Sequence, residues 1–403
     1  MRKHFAYAVI SLLTVAATTA QRITDKTLLT KIDSALKASA AQYTYLSTKV
    51  APGTYPKTWY EDKQQLETSG SGWWCSGFYP GTLLYLDEAV GATVLKQEAL
   101  DFLTDLKKEQ FNTSTHDLGF MMYCSFGNAE KFSPSKEYET ILMQSANSLS
   151  TRYNPVVKCI KSWDSEPWNQ ASADEMPVII DNMMNLELLF WASRYSGDAK
   201  YRDTAINHAN TTIKNHFRGD YSSYHEVVYN IHTGEATKHI TIQGAADDSS
   251  WARGQAWGLY GYTVMYRETK DVKYLEQAKH IARYILTHPS MPKDLVPFWD
   301  YQAPGVPNAL RDTSAAAITA SALIELSGYV GKSDAKHYIK AVSTMLTSLL
   351  SPEYFATPQT NGGFLLKHGV GNMPNKSEID TPLTYGDYYL VEALMRYKHL
   401  KAK

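Results

Sequence analysis

The feature that most constrains the fold of this 403-residue chain is an internal repeat. Three segments each begin an amphipathic helix after a short turn: Lys200-Tyr-Arg-Asp-Thr-Ala, Lys273-Tyr-Leu-Glu-Gln-Ala and Lys336-His-Tyr-Ile-Lys-Ala. A weaker copy starts at Tyr138, and Leu95 holds the same place in another. The anchor positions 138, 201, 274 and 338 lie 63, 73 and 64 residues apart. Each interval is long enough for two helices and a loop, which predicts stacked helical pairs.

A second set of helices, richer in small apolar residues, precedes these amphipathic ones. Segments such as Ala315–Ala322 are apolar on most sides, which is typical of an inner helix packed on both faces. With the N-terminal helix from about Asp25 to Ser47, six inner and six outer helices predict an all-α, closed (α/α)6 barrel. An open helical solenoid is the alternative. The only strands predicted form a hairpin around Tyr224–Ile242. The inner helices are predicted to begin near Gly77, Asp117, Val178, Trp251, Thr313 and Gly386.

Composition excludes several classes of function. The formal net charge of -1 provides no basic field for nucleic acid or a membrane surface, so neither is expected as a partner. The 9 Trp and 28 Tyr suit sugar stacking as well as helical cores. Only three cysteines occur, so a dense disulfide framework is excluded and one pair remains open. No Cys-x-x-Cys or His-x-x-x-His spacing is present, so no metal site is expected.

The N-terminus has the pattern of an export signal. Positive residues from Arg2 to His4 precede an apolar run from Ala6 to Val15, and small residues lead to Ala20. We therefore expect residues 1–20 to be a signal peptide and 21–403 to be a single domain, periplasmic or secreted. The residue directly after Ala20 is Gln21 and not a cysteine that could carry a lipid, so no membrane anchor is expected.

Unusual residues cluster where the inner helices are predicted to begin. All inner helices of such a barrel run in the same direction, so these starts meet at one end. Asp117 and Asp181 are candidates for helix N-caps or for a site. Asp181 lies between the apolar run Pro177–Ile180 and two methionines, which predicts a dry surrounding and a raised pKa. For Arg253, a structural ion pair is the alternative to a role in the site. For Trp251 and Trp257, packing in the core is the alternative to a role in the site. Asp387 and His368 are predicted to be caps or loop supports.

Three motifs together resemble the unsaturated glucuronyl hydrolases, glycoside hydrolase family 88. They are His116-Asp-Leu-Gly-Phe, Asp181-Asn-Met-Met-Asn and Trp251-Ala-Arg-Gly-Gln-Ala-Trp, in that order along the chain. The resemblance covers nearly all of the chain after residue 20. It implies the same (α/α)6 barrel that the repeat predicts.

The resemblance also implies a site. Asp181 takes the place of the catalytic acid and base, and Asp117 that of the second carboxylate. Arg253 is expected to bind the uronate carboxylate, because a guanidinium fork pairs two oxygens. Before the last inner helix, the loop Lys367–Ser377 is expected to meet the second sugar. The residues expected to bind substrate are Trp74, His116, Trp163, His225, Gln243, Trp251, Arg253, Trp257, Asn372, Asn375 and Lys376.

The implied reaction removes a 4,5-unsaturated glucuronic acid from the non-reducing end of a lyase-generated oligosaccharide, of glycosaminoglycan type. It needs no cofactor, and the protein is expected to be a monomer or weak oligomer. An unsaturated rhamnogalacturonyl hydrolase and a non-catalytic sugar-binding barrel are the alternatives. An epimerase on the same helical architecture is a third, but its site would centre on histidines rather than on an Asp pair.

Overall fold

The computed structural model describes residues 26–164 and 166–402, which are mainly helical. The predicted signal peptide lies outside these residues, so it stays a prediction. The α-helices of the described residues, in chain order, are α1 (26–47), α2 (Phe78–Val90), α3 (Thr93–Leu106), α4 (Asn128–Phe132), α5 (Lys136–Ser150), α6 (Leu186–Ser196), α7 (Ala199–Asn215), α8 (Ala252–Thr269), α9 (Val272–Thr287), α10 (Thr313–Ser327), α11 (Lys332–Leu349) and α12 (Thr384–Ala402).

The even-numbered helices form an inner ring and the odd-numbered ones an outer ring. The longer inner helices, such as α8 and α10, are buried on nearly all sides; α8 is buried continuously from Ala252 to Met265. Two inner positions are extended by irregular turns, a π-helix (Gly119–Gly127) before α4 and a 3-10 helix (Ile180–Asn185) before α6. Helix α12 packs against both α10 and α2, which closes the ring. The predicted (α/α)6 barrel is confirmed, and the open solenoid is excluded.

Two of the repeated tyrosines, Tyr201 and Tyr274, have the same structural role between outer helices. The Tyr201 hydroxyl of α7 donates to Asn147 of α5 at 2.6 Å, and the Tyr274 hydroxyl of α9 donates to Asn210 of α7 at 2.9 Å. Each tyrosine thus ties its helix to the preceding outer helix. Their hydrogen bonds give a physical reason for the repeat that the sequence shows.

Short strands lie at the end of the barrel where the inner helices begin. They are β1 (Tyr55–Tyr60), β2 (Gln65–Ser69), β3 (Tyr153–Asn154), β4 (Cys159–Ile160), β5 (Glu175–Ile179), β6 (Glu226–Asn230), β7 (Ala236–Ile240), β8 (Gly369–Asn372) and β9 (Ser377–Thr381). The predicted hairpin is β6–β7, and β5 adds a third antiparallel strand to it. The predicted helix start near Val178 is wrong: the apolar run ends a strand, and the helical turn begins at Ile180.

All three cysteines are free thiols. Cys75 and Cys159 are buried, and burial raises the pKa of all three thiols, Cys124 included. The disulfide that the sequence left open is therefore absent. Within the described residues, no helix combines the length and the apolarity needed to cross a membrane.

Gly119 marks a close approach between two inner elements. A Cβ at Gly119 would lie 2.4 Å from the Cα of Asn185, a main-chain atom that cannot move aside without moving its helix. At the same place, the side-chain oxygen of Asn185 accepts a hydrogen bond from the Phe120 N–H at 3.0 Å. The glycine therefore sets the spacing between the two turns that carry the aspartates of the predicted site.

Gly119→Ala is expected to lower the free energy of unfolding by about 1–3 kcal/mol, because overpacking forces the backbone to shift. Chemical denaturation measures the loss. Gly219→Ala is the matched control, since a Cβ there meets no atom within 4 Å. Equal stability of the two variants would show that the close contact is not a constraint.

Candidate active site

A cavity of about 500 Å³ opens where the inner helices begin. It contains both aspartates and most of the predicted binding residues. Its lining residues include Lys57, Trp73, Trp74, Thr115, His116, Asp117, Trp163, Trp168, Asp181, Gln243, Arg253, Asn372, Asn375, Ser377, Glu378 and Tyr385.

Asp181 lies at the floor of this cavity, in the turn that follows β5. Its backbone is fixed from both sides: the Ile180 N–H donates to the carbonyl of His225 at 2.9 Å, and the Asn182 side chain donates to the carbonyl of Ile160 at 2.7 Å. Only 6% of Asp181 is exposed. Burial raises its pKa to about 7, while the Arg253 charge opposes the shift and the Asp117 charge adds to it. The carboxyl is therefore half protonated near neutrality.

Asp117 is held in a separate set of contacts. The Thr115 hydroxyl donates to its Oδ2 at 2.8 Å and accepts from its backbone N–H at 3.1 Å. The Nε2 atom of His116 lies 3.3 Å from its Oδ1. Burial lowers the pKa of His116, so this ring is neutral at pH 7. Two carboxyl groups with different surroundings thus share one cavity.

His225 lies directly behind Asp181. Its Nδ1 accepts a hydrogen bond from the Ile242 N–H at 3.0 Å, and its Nε2 lies 3.9 Å from Oδ2 of Asp181. Burial and the charge of Arg253 lower the pKa of His225 to about 3. A neutral ring that accepts at Nδ1 carries its proton on Nε2, so an N–H faces the carboxyl of Asp181.

Arg253 is the most heavily engaged side chain of the site. Its Nη1 donates to Asp312 at 3.0 Å and to the carbonyl of Val370 at 2.6 Å. Its Nη2 donates to Gln243 at 2.9 Å and to the carbonyl of Gly371 at 2.5 Å. All four terminal N–H groups thus have protein acceptors. These contacts fix the cavity wall, and the predicted two-oxygen grip of Arg253 on a uronate carboxylate stays a prediction.

The structure brings together seven of the eleven predicted binding residues at the cavity surface: Trp74, His116, Trp163, Gln243, Arg253, Asn372 and Asn375. Three others, His225, Trp251 and Trp257, are buried behind it. Lys376 is exposed on the turn between β8 and β9 and does not line the cavity. The binding role of each residue stays a prediction.

Asp387 and His368 were predicted to support loops, and both do. The Asp387 carboxylate accepts from the backbone N–H groups of Leu365 and Leu366 at 2.8 and 2.9 Å. His368 Nδ1 lies 2.7 Å from Asp380 Oδ1, in the loop and hairpin before α12.

Sequence reasoning missed three charged or aromatic residues of the cavity wall: Lys57, Trp168 and Glu378. Lys57 comes from β1, outside the repeat, and no motif marks it. Glu378 follows directly after the loop that is predicted to contact the second sugar, and this position could have marked it as a residue of the site. Burial raises the pKa of Glu378, against the opposing charges of Lys57 and Arg253. Within the described residues, no group of three or more His, Cys, Asp or Glu side chains has the arrangement of a metal site.

Comparison with known proteins identifies the class. A crystal structure of an unsaturated glucuronyl hydrolase specific for heparin superposes with a TM-score of 0.88 at 44% identity, over 93% of this chain and 98% of that one. No family model matches the sequence.

The sequence relatives agree with the structural match. An unsaturated glucuronyl hydrolase of Formosa agariphila is 44% identical over 333 residues, 82% of this chain and 81% of the relative. An unsaturated chondroitin disaccharide hydrolase of Streptococcus pneumoniae is 33% identical, over 80% of this chain and 81% of the relative. The fold and the paired carboxyl groups are those of an (α/α)6-barrel glycosidase. This chain belongs to the unsaturated glucuronyl hydrolase family.

The raised pKa of Asp181 makes a prediction about stability. Its ordinary value is 3.8, so between pH 4 and 7 the folded state binds more protons than the unfolded state. Stability therefore falls as pH rises through this range, and the loss is complete above about pH 7. Asp181→Asn removes this proton linkage.

The unfolding free energy of Asp181→Asn relative to the native chain is thus expected to rise by about 3 kcal/mol between pH 5 and pH 8. Denaturant titrations at several pH values measure the difference. A constant difference across that range would show that Asp181 has an ordinary pKa.

Proposed function

We propose that this enzyme acts on unsaturated disaccharides released from glycosaminoglycans by lyases, with heparin-type disaccharides as its best substrates. The support is the higher identity to a heparin-specific relative, 44%, than to a chondroitin disaccharide hydrolase, 33%. The hydrolysed bond joins the unsaturated glucuronic acid at the non-reducing end to the second sugar.

The observation that carries the reaction is the state of Asp181. A general acid works best when its pKa is near the working pH, because it is then both protonated and able to release the proton. Asp181 meets this condition with a pKa of about 7, and it lines the cavity although only 6% of it is exposed. An ordinary surface carboxyl would be ionised at that pH and would have no proton to give.

The chemistry begins at the C4=C5 double bond, which is an enol ether. Asp181 delivers its proton to C4, and positive charge develops at C5 and the ring oxygen. A water molecule then adds to C5 while the Asp181 carboxylate takes up one of its protons. The resulting hemiketal opens to a ketone at C5, which leaves a hemiacetal at C1, and this releases the second sugar as an alcohol. One water molecule is consumed and the acid is regenerated.

The neighbours of Asp181 divide the remaining work. Asp117, held by Thr115, orients the sugar and stabilises the positive charge that develops on the ring. The N–H of His225 faces Asp181 and steadies its carboxylate form after proton transfer. Arg253 holds the loop at Val370 and Gly371 in place. It also lowers the cost of ionising Asp181.

The decisive experiment follows the ultraviolet absorbance of the double bond with a panel of lyase-made disaccharides of heparin, chondroitin, hyaluronan and rhamnogalacturonan type. We expect loss of absorbance to be fastest with the heparin type. Asp181→Asn is expected to slow it by about 10²–10⁴-fold, the usual contribution of a positioned acid. Turnover of the rhamnogalacturonan product alone would assign the other hydrolase activity, and binding without any turnover would assign a sugar-binding protein.

Glu226→Gln is the matched control for that substitution. Burial raises the pKa of Glu226 to about 8, opposed by Lys238, yet this residue does not line the cavity. Its variant is expected to keep its activity. Equal losses in both variants would mean that removing any buried acid damages the fold, and substantial turnover by folded Asp181→Asn would contradict its role as the acid.

We also propose that the chain is exported, with cleavage between Ala20 and Gln21. The support is the positive start, the apolar run and the small residues before Gln21. Expression in a Gram-negative host followed by N-terminal sequencing of the periplasmic fraction is expected to give Gln21 first. Ala20→Arg should block cleavage, and native protein that keeps Met1 and stays in the cytoplasm would contradict the proposal.

A further inference from the structure

Three aromatic rings lead from Asp117 to the mouth of the cavity. The His116 ring lies 5.7 Å from the ring of Trp163, and Trp163 lies 4.9 Å from Trp168 at an interplanar angle of 62°. Exposure rises along this series, because His116 is fully buried, Trp163 is half-buried and Trp168 is 52% exposed. Trp168 is therefore the outermost aromatic wall on this side of the cavity.

The turn that carries Trp168 is held by several contacts, although the Trp168 side chain is 52% exposed. Glu166 and Asn169 form a reciprocal capping box around the turn, and Asn169 is fully buried. The next carbonyl, that of Gln170, accepts from the ammonium group of Lys238 on β7 at 2.6 Å. Single exposed aromatics are common on protein surfaces. An indole carried at a cavity mouth by a turn that is held in this way is better explained by a ligand.

Trp73 is the other strongly exposed tryptophan among the described residues, and it also lines the cavity. The ammonium group of Lys57 lies 5.1 Å from the centre of its ring. A cation thus already covers one face of Trp73. Trp168 is the better platform for a sugar.

The direction of the substrate follows from the proposed function, on which this inference rests. The reacting sugar is the non-reducing end of the chain, and it must reach Asp181 at the floor. Every further sugar therefore points towards the mouth. We propose that Trp168 is a platform for the third sugar, so that the enzyme binds unsaturated tetrasaccharides more tightly than disaccharides. The flat apolar face of a sugar ring packs on the indole as another ring would.

Binding is tested in full-length protein carrying Asp181→Asn, in which the expected turnover is slow compared with the titration. Calorimetry compares an unsaturated heparin-type disaccharide with the tetrasaccharide of the same series. Adding Trp168→Ala is expected to weaken tetrasaccharide binding about five- to tenfold more than disaccharide binding. Adding Trp168→Tyr, which keeps an aromatic face, should restore most of the difference.

Phe111→Ala is the matched control, since Phe111 is 65% exposed and lies outside the cavity wall. It should weaken neither ligand relative to the other. Equal losses of both ligands in Trp168→Ala, or no loss at all, would overturn the proposal.

Turnover separates this inference from the proposed function. In the otherwise native chain, Trp168→Ala should raise KM for the tetrasaccharide with little change in kcat, because the third sugar is bound equally in the ground and transition states. If the native chain turns over no unsaturated sugar, the proposed function fails. The calorimetric comparison still decides whether Trp168 binds a third sugar.

Discussion

The buried guanidinium of Arg253 is the interaction on which the active end of the barrel depends. A charge removed from water must be matched by acceptors, or the fold loses several kcal/mol. Its acceptors come from the cap of α10 at Asp312, from the loop at Gln243 and from the carbonyls of β8. The rings of Trp251 and Tyr385 lie 4.4 and 5.1 Å from it. One side chain on α8 thus joins parts of the chain more than 100 residues apart.

The same cation also sets how acidic Asp181 is. Burial alone favours the neutral carboxyl, and the nearby positive charge favours the ionised one. The two effects leave the pKa of Asp181 near 7, so the carboxyl can both give a proton and take one back. Because Arg253 is immobilised by protein acceptors rather than by substrate, this balance exists before a ligand arrives. Preorganised electrostatics of this kind lower a barrier without reorganisation during the reaction.

The parts of this molecule that were predictable are those that repeat. The period of the amphipathic helices predicted the ring of helices and the shared end at which the inner helices begin. The apolar residues on both sides of Asp181 predicted its raised pKa. Trp168 and Glu378 escaped prediction because one lies on a short 3-10 turn and the other on a short strand, and the helical repeat constrains neither. The engagement of Arg253 was hidden for another reason: two of its acceptors are main-chain carbonyls of Val370 and Gly371, which any residue type can supply.

The three separate thiols have a consequence for how the chain matures. The thiolate is the form that reacts with oxidants and disulfides, and burial disfavours it at Cys75, Cys124 and Cys159. No disulfide bond has to form or be rearranged for the helices to pack into the ring. The folded chain thus contains no disulfide that a disulfide-forming catalyst would have to supply, and its thiols are poorly reactive once it has folded.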